Sequence, residues 1–426
     1  GEACAAALEK LTAAYEAART AYPAIEAGLT ARYEADRVTI AHSANAAQAE
    51  AVIDGFAAQV VDLLAADAQG APMKELAAKA RDIESAYDAL TQAQQALVQN
   101  YARLADIRAL AESYNKNLAL LAQWNGDDKS SYPDLASALE ALAADAQTAL
   151  GECTRQEELA PVLDKYCADA VRLLMKDVGF TAGTTTMGQL ADAAEKLTRT
   201  RQAFGGLSQA QKALLDESSE ASLTEAETLL AVYNKAIETL AGWTREDAGK
   251  DPQIAETLQA LSGETAEELR CCTDRDGAVL ALNRYCAKAA GALVDAIHFA
   301  PGETTMAEVD ESAVKTARTA YNGLTDEQKT LMPEKTLETL EAAEKLLADY
   351  SKAAETLREQ NVKAQTAYPA LAERIGVLAA QCETELGQCT SAEEAQKVLD
   401  RYGARVVDLL IEQIGTLPQK PEKEFL

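Results

Sequence analysis

The chain has 426 residues, is 48% hydrophobic but only 5% aromatic, and carries 68 acidic against 40 basic residues for a net charge of −28. A field of that sign repels nucleic acids and anionic membrane surfaces, and without a run of eighteen apolar residues no membrane-spanning or directly inserted segment is expected. Ala, Leu, Glu, Lys and Gln dominate, which favours helix and leaves a sheet little to pack; the expected fold is all-α, in several units at this length.

The chain opens GEACAAALEK, already helical in composition, with neither an initiator Met nor a signal peptide, so it reads as part of a larger multidomain chain. Tyr22-Pro23 marks a helix start, since proline tolerates the first turn. Ser43 follows the proline by 20 residues, and Phe56 lies 13 further on in AVIDGFAAQVVDLL. A second block runs from Met73, MKELAAKARDIESAYDALTQAQQALV, and includes Thr91. NGDDKSS, from Asn125 to Ser131, breaks the periodicity as a loop. The first pattern then returns as Tyr132-Pro133, Cys153 and Tyr166, the second as Met187 and Ser208 beyond a loop at 179–186. It returns again as Pro252 (after Asp251), Cys272 and Tyr285, then a loop at 300–305, Met306 and Thr325, and finally as Tyr368-Pro369, Cys389 and Tyr402. In the helix after Thr325, Leu337, Leu340, Leu347 and Tyr350 form one apolar stripe with Leu346 beside it.

The prolines are 110, 119 and 117 residues apart, while the proline-to-aromatic spacing stays at 33. Such self-similarity defines a tandem repeat. The expected architecture is an elongated array of helical-bundle modules: a partial repeat at 1–67, modules at 68–178, 179–298 and 299–416, and a tail or linker at 417–426. Thr154 with Glu157 and Thr390 with Glu393 have capping-box spacing, and Ser208 and Thr325 head further helices. Tyr22, Tyr132 and Tyr368 recur as markers of either core or surface.

Cys153 with Cys167 and Cys272 with Cys286 recur fourteen residues apart, and the first copy has Ser43 and Ala57 at those places. Positions gained together suggest disulfides and an oxidising setting. A straight helix would hold each pair about 20 Å apart, so a bond requires a turn near Pro161 or Asp274; buried thiols are the competing reading. Cys382 with Cys389 is a weaker candidate, and Cys4 and Cys271 have no evident mate. Zinc ligation is not expected: the histidines are His42 and His298, and no C-x-x-C occurs. No nucleotide-binding, zincin or nucleophile-elbow motif is present, so no catalytic or cofactor-binding residue is assigned and no enzyme is expected. Trp124 and Trp243 occupy related places and are read as closing the module cores.

TARTAYNGLTDEQKTLMPEKTLETLEAAEKLL, at 316–347, resembles the small AYN-x-L-T-x-EQK-x-L repeats of cell-surface and secreted multidomain proteins from Gram-positive gut bacteria. The likeness is weaker at 80–98 and 193–230. It implies a non-catalytic, extracellular or wall-attached spacer or accessory region, with no catalytic residue to carry over. Two alternatives stand beside a spacer with a role in adhesion. A dedicated protein-binding module for an extracellular host or bacterial protein predicts an exposed patch common to the copies; an intracellular scaffold predicts reduced cysteines.

Overall fold

In a computed structural model of the chain, residues 2–246 and 252–416 are described. They contain nineteen α-helices, and no strand occurs among them. In chain order these are α1 Glu2–Ala21, α2 Glu26–Ala41, α3 Ala46–Ala68, α4 Met73–Asp88, α5 Gln92–Gln95, α6 Arg103–Ser131 and α7 Ala136–Glu152. Next come α8 Leu159–Val178, α9 Met187–Asp192, α10 Ala194–Gly206, α11 Gln209–Lys212, α12 Ser219–Glu246 and α13 Pro252–Cys271. The last six are α14 Arg275–Asp295, α15 Glu311–Gly323, α16 Asp326–Thr330, α17 Glu334–Ala367, α18 Ala372–Gly387 and α19 Ala392–Thr416. Two compact units result, one of the described residues to Gly179 with Thr198–Ala221, the other of Phe180–Leu197 with those from Ser222 onward.

The bundles α1–α3, α6–α8 and α17–α19 each pack three helices on one another. In each, a long helix (α1, α6 or α17) ends at the recurrent proline, a second helix returns, and a third carries the aromatic; α13, from Pro252, and α14, with Tyr285, repeat the second and third of these. Tyr22, Tyr132 and Tyr368 share one backbone conformation, with φ −130, −131 and −128 and ψ 65, 66 and 69. Each amide closes the long helix on the carbonyl four residues back, and the proline opens a single 3-10 turn as expected. In the first unit α1, α2 and α3 pack on one another, and α3 also packs on α4, α5 and α6. In the second, α14 contacts α13 as well as α15, α16 and α17, and α17, α18 and α19 close the final bundle. The third helix is thus a bridge with two apolar faces. One core runs from Ala7 to Tyr166, so the expected boundary at 67/68 divides the repeat and not the packing. The tail assigned to 417–426 lies outside the described residues.

Two local expectations are corrected. NGDDKSS is not a loop: α6 continues through it to Ser131. Trp124 packs partly buried on the core, and four residues on, Asp128 accepts a hydrogen bond from the Tyr166 hydroxyl at 2.9 Å. One helical turn brings both side chains to the same face, which holds the polar stretch helical until Pro133. The capping acids also stand one place later than their spacing suggested. Glu158 accepts from the Thr154 and Arg155 amides at 2.8 and 3.2 Å, and Glu394 accepts from Thr390 N at 2.8 Å while its own amide donates to Ser391 Oγ. The Ser208 and Thr325 caps are formed as expected, each as a reciprocal box with the glutamine three residues on.

Candidate functional site: a repeated junction of helix ends

The methionine that opens each second block meets the cysteine that closes the following second helix. The amides of Met73, Met187 and Met306 donate to the carbonyls of Cys153, Cys272 and Cys389 at 2.8, 2.7 and 2.8 Å. At Met73 and Met187 this satisfies an orphan donor at one helix start and an orphan acceptor at another helix end, while Met306 makes the same bond from the turn that precedes α15. Each cysteine thiol in turn donates to the carbonyl four residues back, Ala149, Glu268 or Glu385, at 3.3, 3.4 and 3.4 Å. Ser43 does the same in the first copy, its hydroxyl donating to Thr39 O at 3.0 Å. Cysteine and serine alternate here because both supply a short side-chain donor to a helix end.

The backbones meet so closely that one of two facing residues is glycine. After the methionine stand Lys74, Gly188 and Ala307; two before the cysteine stand Gly151, Arg270 and Gly387. A Cβ on Gly151 would lie 3.4 Å from Lys74 Cβ, one on Gly188 3.0 Å from both Arg270 Cβ and its carbonyl oxygen, and one on Gly387 3.1 Å from Ala307 Cβ. The large side chain and its ion pair change sides with the glycine: Lys74 pairs with Glu152, whereas Arg270 pairs with Asp192 at 2.9 Å. A second exchange follows between connector and long helix. Glu84 pairs with Arg108, and at the same repeat positions Arg318 pairs with Glu344, at 2.6 and 2.5 Å. Gly188→Ala is therefore expected to destabilise the second unit by about 1–3 kcal/mol, since a backbone oxygen does not yield. Gly151→Ala, in ordinary contact, is expected to be neutral or to gain about 0.5–1 kcal/mol of helix propensity. Denaturant melts of both variants decide this; equal effects would refute the close-approach argument.

A polar latch joins each connector to the bridging helix before it. The capping-box glutamines Gln94, Gln211 and Gln328 reach across to Asp54, Asp164 and Asn283 at 2.9, 3.0 and 3.0 Å. All three acceptors lie two residues before the repeat aromatic. The boxes were legible as caps, but their outward-reaching amides were not.

The expected pairs Cys153/Cys167 and Cys272/Cys286 are not bonded, and all eight cysteines are free thiols, Cys382 and Cys389 included. The helix register gives the reason. Cys167 is the ninth residue of α8 and Cys286 the twelfth of α14, placing them about 12 and 16 Å along those helices, beyond the Cα separation a disulfide allows. Burial pushes the Cys167 and Cys286 thiols up to about 11 and raises those of Cys153, Cys272 and Cys389 as well. Burial likewise raises Asp128, and burial together with that carboxylate raises the Tyr166 phenol. Cys4 Sγ lies 4.0 Å from Ser43 O, and Cys271 is exposed. The tyrosine markers share a backbone role but not a side-chain environment: Tyr22 packs on the core, Tyr132 is half-buried and Tyr368 is 42% exposed. His42 caps α2, its Nδ1 2.8 Å from Val38 O, and His298 adopts φ 52 beside the loop at 300–305. The Trp243 side chain lies outside the described residues.

Among the described residues no group of three or more His, Cys, Asp or Glu is placed to hold a metal, and no helix is long and apolar enough to cross a membrane. A groove of about 750 Å³ opens between α15 and α17, lined by Val309, Val314, Leu347 and Tyr350 with the Arg318–Glu344 pair. Its charges neutralise each other. Fold and junctions together define a tandem helical repeat protein. The chain matches no known family, no curated protein and no solved structure.

Proposed function

We propose that this chain is a non-catalytic spacer or stalk region of a bacterial cell-surface protein, extracellular or wall-attached, in which repetition supplies reach. The reading rests on one observation. What recurs from copy to copy is the internal fit, whereas the charges outside it change places: Lys74 over Gly151 becomes Arg270 over Gly188, and Glu84–Arg108 becomes Arg318–Glu344. Surface ion pairs such as Lys74–Glu152 contribute little to stability, and Arg318–Glu344 is half-buried; exchanging such pairs leaves the bundle intact while varying the outer surface from copy to copy. A module multiplied for avidity would keep its contact surface constant. The resemblance of residues 316–347 to repeats of Gram-positive gut bacteria supports a surface location.

A second reading, an intracellular helical scaffold, draws on the eight free thiols, which suit a reducing compartment. Protease treatment of intact producing cells separates the two. The surface reading expects the chain to be cleaved while a cytoplasmic marker survives. Cleavage only after lysis would discard it in favour of the scaffold.

A further inference from the structure

The bridging helices α3, α8 and α14 carry an outer stripe at repeat positions 5, 9 and 12 beyond the aromatic. In α3 these are Val61, Ala65 and Ala68, all buried; in α14 and just beyond its end they are Ala290, Val294 and Ile297, likewise buried. In α8, Val171 and Val178 are buried and Met175 half-buried. In α19 the same positions are Val407, Ile411 and Ile414, and they are 52%, 61% and 67% exposed. The stripe is more apolar here than in α3, yet it stands uncovered. α19 is well packed on its other face, where Val398, Leu399, Tyr402 and Val406 are buried in the core with α17 and α18.

The polar half of the same surface is also present. Asp400 lies two residues before Tyr402, the place of Asp54, Asp164 and Asn283, each of which receives a capping-box glutamine. Asp400 is exposed and, among the described residues, accepts from Gln396, one turn back on its own helix, at 2.9 Å. Gly403 is exposed where the buried Cys286 stands in α14. An apolar stripe with a carboxylate at one end is the imprint that a connector block leaves on its bridging helix.

We propose that the outer face of α19 is the docking surface for a further connector block of this repeat, joined to α19 as the other blocks are joined to their bridging helices. The occupant is a helix opening on Met or a similar apolar residue, then a short [S/T]-x-x-Q helix whose glutamine takes Asp400 from Gln396, then the head of a long helix. A block of this kind is twenty-six residues long from Met73 to Val98, against ten in 417–426. The loops that precede Met73 and Met306 are short, which delivers those two blocks directly onto the stripes of α3 and α14. The inference is independent of where the protein works.

The test extends the chain after Thr416 with the block Gln69–Ser131, or in a second version with Phe299–Ser351, each keeping its own entry loop. Amide hydrogen exchange is then followed in α19. The expected result is a rise of about tenfold or more in protection over 403–414, lost on Ile411→Glu and reduced on Asp400→Ala, with helix content by circular dichroism unchanged. No added protection with either block overturns the proposal. So does concentration-dependent dimerisation of the unextended chain that Ile411→Glu abolishes, because the face would then belong to a second copy.

Discussion

Phe56→Ala is expected to destabilise the first unit by about 3–5 kcal/mol, the usual range for deleting a buried ring. For a unit near 200 residues that lowers the melting temperature by roughly 10 °C. Phe56 is 1% exposed and sits within the core that runs from Ala7 to Tyr166. It lies on the helix that holds α1 and α2 on one side and α4 to α6 on the other, so a cavity there weakens two layers at once. Ile411→Ala is the internal control. It is a larger residue than the Ala65 of the first copy, yet it is 61% exposed, and its loss is expected to stay within about 0.5 kcal/mol. Guanidinium melts of both variants measure the difference. A cost below about 1 kcal/mol for Phe56→Ala would mean that the bridging helix does not carry the shared core.

The periodic parts of this fold are legible in the sequence because each is local. Tyr-Pro encodes a turn whose dihedrals agree within a few degrees across three copies, and Ser208-x-x-Gln211 encodes its own cap. What the sequence hides is contact between distant helix ends. Met73 and Cys153 are eighty residues apart, and nothing in either segment announces that one amide will reach the other carbonyl. The alternation of Lys74/Gly151 with Gly188/Arg270 was visible as letters but had no meaning until the backbones were known to meet. NGDDKSS deceived because its composition is that of a loop, whereas the decisive facts are Trp124 and Asp128 on one face and Tyr166 opposite. The stripe read around Leu340 in α17 needed no partner to be seen: Leu340 and Leu346 are buried, with Leu337, Leu347 and Tyr350 half-buried beside them.

The cysteines show the same limit and give the second large expected effect. Cys153 and Cys167 recur together for two separate reasons, one as the donor that closes α7 and the other as a small residue on the stripe of α8. Joint recurrence therefore imitates bonding without it. In the folded protein at pH 8, without reductant, Cys271 should alkylate first because it is the one exposed cysteine of the eight. Cys286, buried and pushed up to about 11 from an ordinary value of 9.0, holds about a hundredfold less thiolate than an unshifted thiol. Burial slows it further, because a reagent must await local opening. The sign is fixed by the direction of the shift: thiolate is the reactive form, so labelling of Cys286 and Cys167 should still climb about tenfold per pH unit between 8 and 10. In denaturant, still without reductant, all eight should label. If four thiols instead appear only after reduction and map to 153/167 and 272/286, the α7–α8 and α13–α14 hairpins must turn more tightly than their present register allows. The junction at Met73 and Met187 would then lose its physical basis, since Cys153 and Cys272 would be held by bonds that displace them from the helix ends they now close.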